Sequence, residues 1–170
     1  MKIKIIIITL LLNSSIFAQQ KPLGLGLEMF KSIEQIEYCL PLPLKEMKEK
    51  SGSERCHHSF VGKKNINTTI DVQGFYRDDT TISLETYFAE AYNEETYANG
   101  KIVTQKEVLK NKNCYYAIGY YNNFLGKYEF AEVTWVRNDE VMKMQIQYPT
   151  KDKKLWYERL KIIIKNAYCR

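Results

Sequence analysis

Cys56-His57-His58 is the densest run of metal-ligating and nucleophilic side chains in the chain, and Cys39 lies not far upstream. Thiolate and imidazole together suit zinc or copper. In an extended strand, however, His57 and His58 point to opposite faces, so both join one site only through a bulge. These are the only two histidines, and no Cys-x-x-Cys or His-x-x-x-His spacing accompanies them. A metal site at Cys56 and His57 is therefore the secondary reading, beside a disulfide-bonded Cys56 flanked by two surface histidines.

Nucleophilic catalysis would have to recruit the same histidines, and no glycine pattern of a nucleophile elbow is present. Paired carboxylates occur at Asp78-Asp79, Glu94-Glu95 and Asp139-Glu140. Each pair sits in a polar turn, where solvation keeps both groups ordinary, whereas acid–base work needs one of them desolvated. The expectation is a non-catalytic protein without a cofactor. Asn67-Thr68-Thr69 matches a glycosylation acceptor, but its strand-like setting argues against use.

Tyrosine is the distinctive residue, with thirteen in 170, and two pairs are doubled: Tyr115-Tyr116 and Tyr120-Tyr121. In a strand, doubling sends one ring to each face, so one ring of each pair is exposed unless both faces are covered. Tyr116, Ile118 and Tyr120 share one face, with Tyr115, Ala117, Gly119 and Tyr121 on the other. Exposed tyrosines supply rigid amphipathic contact area of the kind enriched at interfaces. Tyr115, Tyr121, Tyr76 and Trp135 are the candidate binding residues on this reading. The competing reading, which carries somewhat more weight, lays a helix over the second face and makes both rows core. Phe75-Tyr76 with Asp78 to Thr81 would then border that helix as one rim of a groove.

The elements that must hold these residues follow from periodicity. Asn113 to Tyr121, Lys127 to Arg137 and Glu140 to Tyr148 predict a three-strand meander, the last alternating Met142, Met144, Ile146 and Tyr148 with polar residues. Pro149 ends the sheet. From about Asp152 the spacing of Leu155, Trp156, Leu160, Ile163, Ile164 and Tyr168 predicts an amphipathic helix. Upstream, residues 37–43 predict a short strand that Pro41 and Pro43 confine to an edge or an end. Lys45 to Glu54 reads as loop. Residues 55–61 and 66–77 read as a hairpin, Ser83 as the cap of a helix, and residues 101–109 as a further strand. The pattern is α+β in a single domain: a mainly antiparallel sheet of six or seven strands packed with two main helices.

Residues 1–18 carry Lys2 and Lys4, an apolar run from Ile5 to Leu12 and Ala18 before Gln19-Gln20, the layout of a secretory signal peptide rather than a membrane span. No cysteine follows that run to take a lipid. Residues 19–35 form an irregular lead in which Leu27 to Ile36 would make two helical turns, and residues 36–170 form the domain. The formal charge of +5 includes both leader lysines, and the remainder is too mild and too mixed in sign for nucleic acid. The expected setting is the periplasm or the cell exterior, with no membrane-embedded segment after cleavage and with another protein as partner. Nothing in the pattern sets an oligomeric state. An even cysteine count in an oxidising compartment favours disulfides, with Cys39–Cys56 and Cys114–Cys169 the preferred pairing among Cys39, Cys56, Cys114 and Cys169.

Leu40-Pro41, the helix start Ser83 to Tyr87, the Tyr-x-x-Gly-Tyr run from Tyr116 to Tyr120, and an early Trp156 in the closing helix carry a resemblance. Across about residues 36–168 the order of elements resembles the PsbP-like superfamily. That group spans extrinsic photosystem II subunits, a Ran-binding nuclear import factor and many exported bacterial proteins. The resemblance implies a PsbP-like α/β sandwich and a binding role, such as an accessory or immunity-type protein, and transfers no functional residue. A small-ligand or metal carrier with a pocket near Cys56 and His57 is the alternative, and a hydrolase comes last.

Overall fold

The computed structural model describes residues 23–31, 37–50, 57–64, 66–77, 80–91, 100–109, 113–123, 126–137, 139–166 and 168–169. The expected leader, Cys56, Asp78-Asp79 and Glu94-Glu95 lie outside them. In chain order come strands β1 (Gly26–Lys31), β2 (Glu37–Leu42), β3 (Met47–Glu49), β4 (His57–Gly62) and β5 (Thr69–Tyr76). Helix α1 (Leu84–Ala91), strands β6 (Ile102–Leu109), β7 (Cys114–Asn123), β8 (Gly126–Arg137) and β9 (Glu140–Pro149), helix α2 (Lys153–Asn166) and a two-residue β10 (Tyr168–Cys169) follow. Seven strands form one antiparallel sheet in the order β3-β4-β5-β9-β8-β7-β6, and a small second sheet runs β1-β2-β10. The α+β class and the antiparallel sheet with two helices are those the pattern predicts.

The β7-β8-β9 meander pairs in simple antiparallel register, Cys114 opposite Trp135 and Trp135 opposite Met142. Residues opposite one another share a face, so the register sorts the sheet into two surfaces. On one, Tyr116, Ile118, Ala131, Val133, Trp135, Met142, Met144 and Ile146 meet Trp156, Leu160 and Ile163 of α2. Trp156 is 2% exposed, its ring 5.5 Å from that of Tyr148 and nearly parallel to it. Strand β2 adds Leu40 and Leu42 to the same core. On the other surface Tyr115, Ala117, Phe130, Val136 and Val141 meet Phe88 of α1. Ser83 caps α1 as expected, its Oγ accepting the Thr86 N–H at 3.1 Å.

Gly119 allows the sheet to close at its β6 side. A Cβ there would stand 2.1 Å from the Ile102 carbonyl oxygen and 2.8 Å from the Phe130 ring. A buried arginine ties the chain's early segment to its last helix. Arg159 donates from Nε to the Leu23 carbonyl at 3.0 Å and from Nη2 to Glu46 Oε1 at 2.7 Å, with its guanidinium 4.9 Å above the Trp156 ring. Such a buried charge is tolerable because the carboxylate, the carbonyl and the ring replace its water.

Four expectations are corrected. Gly26–Lys31 is a strand and not part of a helical lead, because pairing with β2 overrides the helical spacing of Leu27, Phe30 and Lys31. Met47–Glu49, read as loop, is an edge strand on β4. Leu155 is 40% exposed and Tyr168 lies in β10, so neither belongs to the buried stripe of α2. The Cys114–Cys169 pairing is likewise not formed. Cys114 is a buried thiol at the start of β7, contacting the Tyr115 carbonyl. Cys169 instead lies on β10 beside β2. The Cys39–Cys56 pairing lies outside the described residues, since Cys56 is not among them. Pro41 sits near the end of β2, where β10, which pairs only with Tyr38 and Cys39, no longer reaches and β1 is the single paired neighbour.

Two measurements test this arrangement. Trp156→Ala should cost about 3–5 kcal/mol in urea unfolding, the range for deleting a buried tryptophan. Cys114 should resist alkylation in the native protein and become labelled on denaturation without any reductant.

Candidate functional site

The sheet scatters the four candidate binding residues. Tyr115 is 4% exposed, its ring stacked on Phe88 of α1 at 5.2 Å. Trp135 is 2% exposed on the α2 side, and its indole Nε1 finds no hydrogen-bond acceptor among the described residues. Both are core, so for Tyr115 the helix-covered reading is the one realised. Tyr76 is exposed at the end of β5, opposite Glu140. Tyr121 is half-buried, on the same face as Tyr115, and packs at the margin of the cluster that includes Phe130 and Ala117. Phe75 packs against the cluster that includes Phe88 of α1.

The histidines part as the strand demands. His58 Nδ1 lies 3.0 Å from Glu49 on the edge strand. His57 faces the other way, with Nε2 3.2 Å from Gln73 Nε2, 3.4 Å from Ser59 Oγ and 3.8 Å from Asp71 Oδ1. Ser59 donates a short hydrogen bond to Asp71. In a hydrolytic triad the acid holds the far ring nitrogen of the histidine while the serine meets the near one. Here serine and acid share the same side of the ring, so the three form a hydrogen-bonded cluster rather than a relay. Among the described residues no three His, Cys, Asp or Glu side chains converge as metal ligands.

Two larger features emerge that no sequence period marks. The first lies on the α1 face of the sheet, beyond the residues that pack on Phe88. Its floor carries Glu132, a buried carboxylate that takes Lys101 Nζ at 3.4 Å, Lys143 Nζ at 3.1 Å and Gln145 Nε2 at 2.8 Å. Two ammonium groups and an amide compensate its burial. Further along, Tyr121 donates to Gln147 Oε1 at 2.8 Å and its ring lies 6.0 Å from that of Tyr128.

The second is a groove of about 360 Å³ between β6 and α2. Leu109, Ile118, Leu160 and Ile164 line it with apolar surface. On the strand side, Tyr116 donates to Glu107 Oε2 at 2.6 Å and accepts from Gln105 Nε2 at 2.8 Å. On the helix side stand Tyr157, 43% exposed, and Lys161, whose ammonium sits 4.4 Å above the Tyr157 ring and 3.0 Å from Glu158. β6 is the last strand of the sheet among the described residues. A register shift between Val103 and Gln105 interrupts it, and Thr104 Oγ1 reaches back to the Ile118 carbonyl at 3.1 Å. Such a bulge is a device that keeps an edge from pairing indiscriminately. The groove draws on residues 105–118 and 157–165, so no contiguous stretch of sequence displays it. The only local signal was the lysine-rich outer face of the closing helix.

Burial raises several phenols. Tyr115 is pushed up to about 12 by desolvation and then by the Glu132 charge. Tyr116 also reaches about 12, by desolvation and then by its bond to Glu107. Desolvation, then Tyr128, raises Tyr121, and desolvation, then Glu129, raises Tyr148. Unfolded tyrosines ionise near pH 10, roughly two units lower. Above that point the unfolded chain releases protons that the folded chain retains. Stability is thus full below about pH 10 and declines from there towards about 12. Urea midpoints should fall across that window, and a phenolate absorbance titration should show Tyr115, Tyr116 and Tyr148 ionising last or only on unfolding. A flat stability profile would contradict the assignment.

The sequence matches no protein-family model and no curated protein. Solved structures, in contrast, superpose over most of the chain. The Ran-binding protein Mog1p of Saccharomyces cerevisiae is 11% identical with a TM-score of 0.59, covering 85% of this chain and 95% of its own. LpqN, involved in cell envelope biogenesis of Mycobacterium tuberculosis, is 13% identical with a TM-score of 0.57, covering 85% and 91%. PsbP (CyanoP) from Synechocystis sp. PCC 6803 is 7% identical with a TM-score of 0.55, covering 85% and 93%. At these identities the likeness is one of fold. With its seven-stranded antiparallel sheet and two helices, the chain has the PsbP-like/Mog1 fold.

Proposed function

We propose that this chain is an exported, non-catalytic binding module, of accessory or immunity type, whose partner is another protein held in the groove between β6 and α2. The observation that carries the reading is the groove itself. An apolar floor lies open between an edge strand and a helix, with the half-exposed Tyr157 on its rim. Tyrosine in that position provides large, rigid contact area at small entropic cost. The outer face of α2 bears Lys154, Lys161 and Lys165 against the single acid Glu158, while Glu107 on the opposite wall is occupied by Tyr116. Charge complementarity thus favours a partner segment with an apolar anchor and acidic flanks.

Fold neighbours support this reading at the level of kind. Mog1p is a Ran-binding protein, and LpqN is involved in cell envelope biogenesis. Fold alone does not carry function, so the groove must bear the weight. Export rests on the leader pattern of residues 1–18. No helix among the described residues is long and apolar enough to cross a membrane.

The test is a photo-crosslinking amino acid at Tyr157, compared with one at Lys48 on the far edge strand β3. In the exported fraction of the native host, the Tyr157 probe should give one discrete adduct and the Lys48 probe none. For the partner so identified, Lys161→Glu with Lys165→Glu should weaken the affinity about tenfold or more. Equal adducts from both edges, or affinity indifferent to the charge reversal, would remove the groove from the function.

A further inference from the structure

Strand β6 has a cleft on each of its faces. On the α2 face lies the groove of about 360 Å³. On the α1 face a second cleft, of about 240 Å³, is lined by Phe88, Ala89, Val108 and Tyr115 together with Glu85 and Lys106. Glu107 lines both, so the two clefts adjoin along the strand. Thr104 to Glu107 are all exposed, whereas a strand covered on one face buries every second residue. Neither helix covers β6 there.

The bulge between Val103 and Gln105 confines the regular edge to residues 105–109, which pair with β7 from Ile118 to Cys114. Every second residue of an edge strand turns its N–H and C=O away from the sheet, and such a row is complementary to another extended chain. The wall beneath it is already fixed. Tyr116 donates to Glu107 at 2.6 Å and accepts from Gln105 at 2.8 Å, which lowers the cost of ordering these side chains on binding.

Resting on the groove as the binding site, we infer that its occupant is an extended segment of another protein that adds to β6 as a further strand. It pairs with residues 105–109 and sends alternate side chains into the groove and into the α1-side cleft. A helix laid in the groove would use the α2 side alone, whereas an added strand fills both clefts with successive residues. The segment therefore carries an unbroken apolar run between its acidic flanks. A second copy of this chain is a poorer match. Antiparallel pairing over 105–109 would centre on Glu107 and set that carboxylate opposite its own copy.

The probe is the acetylated, amidated peptide Asp-Glu-Val-Leu-Val-Phe-Glu-Asp at millimolar concentration, followed by amide NMR and hydrogen exchange. Saturable shifts are expected at both Ala89 and Leu160, with slowed exchange at alternate amides within residues 105–109. N-methylation of one alternate set of peptide amides should abolish binding, and methylation of the other set should be tolerated. Ala89→Trp, at an exposed position of α1, should fill the second cleft and weaken the peptide about tenfold without disturbing the core. Shifts confined to Tyr157, Leu160 and Ile164, with exchange in β6 unchanged, would overturn strand addition and leave the groove reading standing. Absence of saturable shifts on either side of β6 would remove both. Protection of the same amides without peptide, rising with protein concentration alongside a dimer mass, would assign the edge to a second copy and overturn the inference.

Discussion

Strand β8 is buried from Tyr128 to Val136, along both of its faces, and that constraint shapes the molecule. A strand without a wet side must be covered twice. The chain supplies two helices of unequal length for the purpose. α2, fourteen residues long, lies with Leu40 and Leu42 of the small sheet over one face and completes a continuous apolar core. α1 (Leu84–Ala91) lies over the other face, where Phe88 stacks on Tyr115.

Each face of β8 also holds a buried carboxylate. Glu132 and Glu129 lie on opposite faces of β8, and each would be costly without compensation. Glu132 receives two lysines and an amide from neighbouring strands, and Glu129 receives Lys153 at 3.1 Å from the first turn of α2. Lysine suits this task because its long stem can follow the apolar surface while the ammonium reaches the carboxylate. Arg159 fastens the other end of the same system by joining α2 to Glu46 and Leu23.

Likeness to Mog1p, LpqN and CyanoP extends over nearly the whole of each of those chains, yet identity falls between 7% and 13%. Such a pattern means that the packing of helix on sheet is preserved while the surface chemistry is free to differ. The groove and the cleft across β6 from it are surface features of this chain. Their residues, and not the shared scaffold, have to account for what it binds.

Much of the scaffold was legible from residue order. Alternation in Met142 to Tyr148 located β9, Ser83 located the start of α1, and the spacing of Trp156, Leu160 and Ile163 located the buried stripe of α2. These are local patterns, fixed by the two-residue period of a strand, the 3.6-residue period of a helix and the unpaired amides of a helix end. Periodicity also placed Tyr115 and Tyr121 on one face, but it could not say how far a helix would extend across that face. The tertiary structure decided that α1 covers Tyr115, that Tyr121 is only half-buried, that Trp135 is core, and that Gly26–Lys31 pairs with β2. It also set residues 105–118 against 157–165. Burial and cavity shape depend on contacts between segments far apart in the chain, and no local period encodes those.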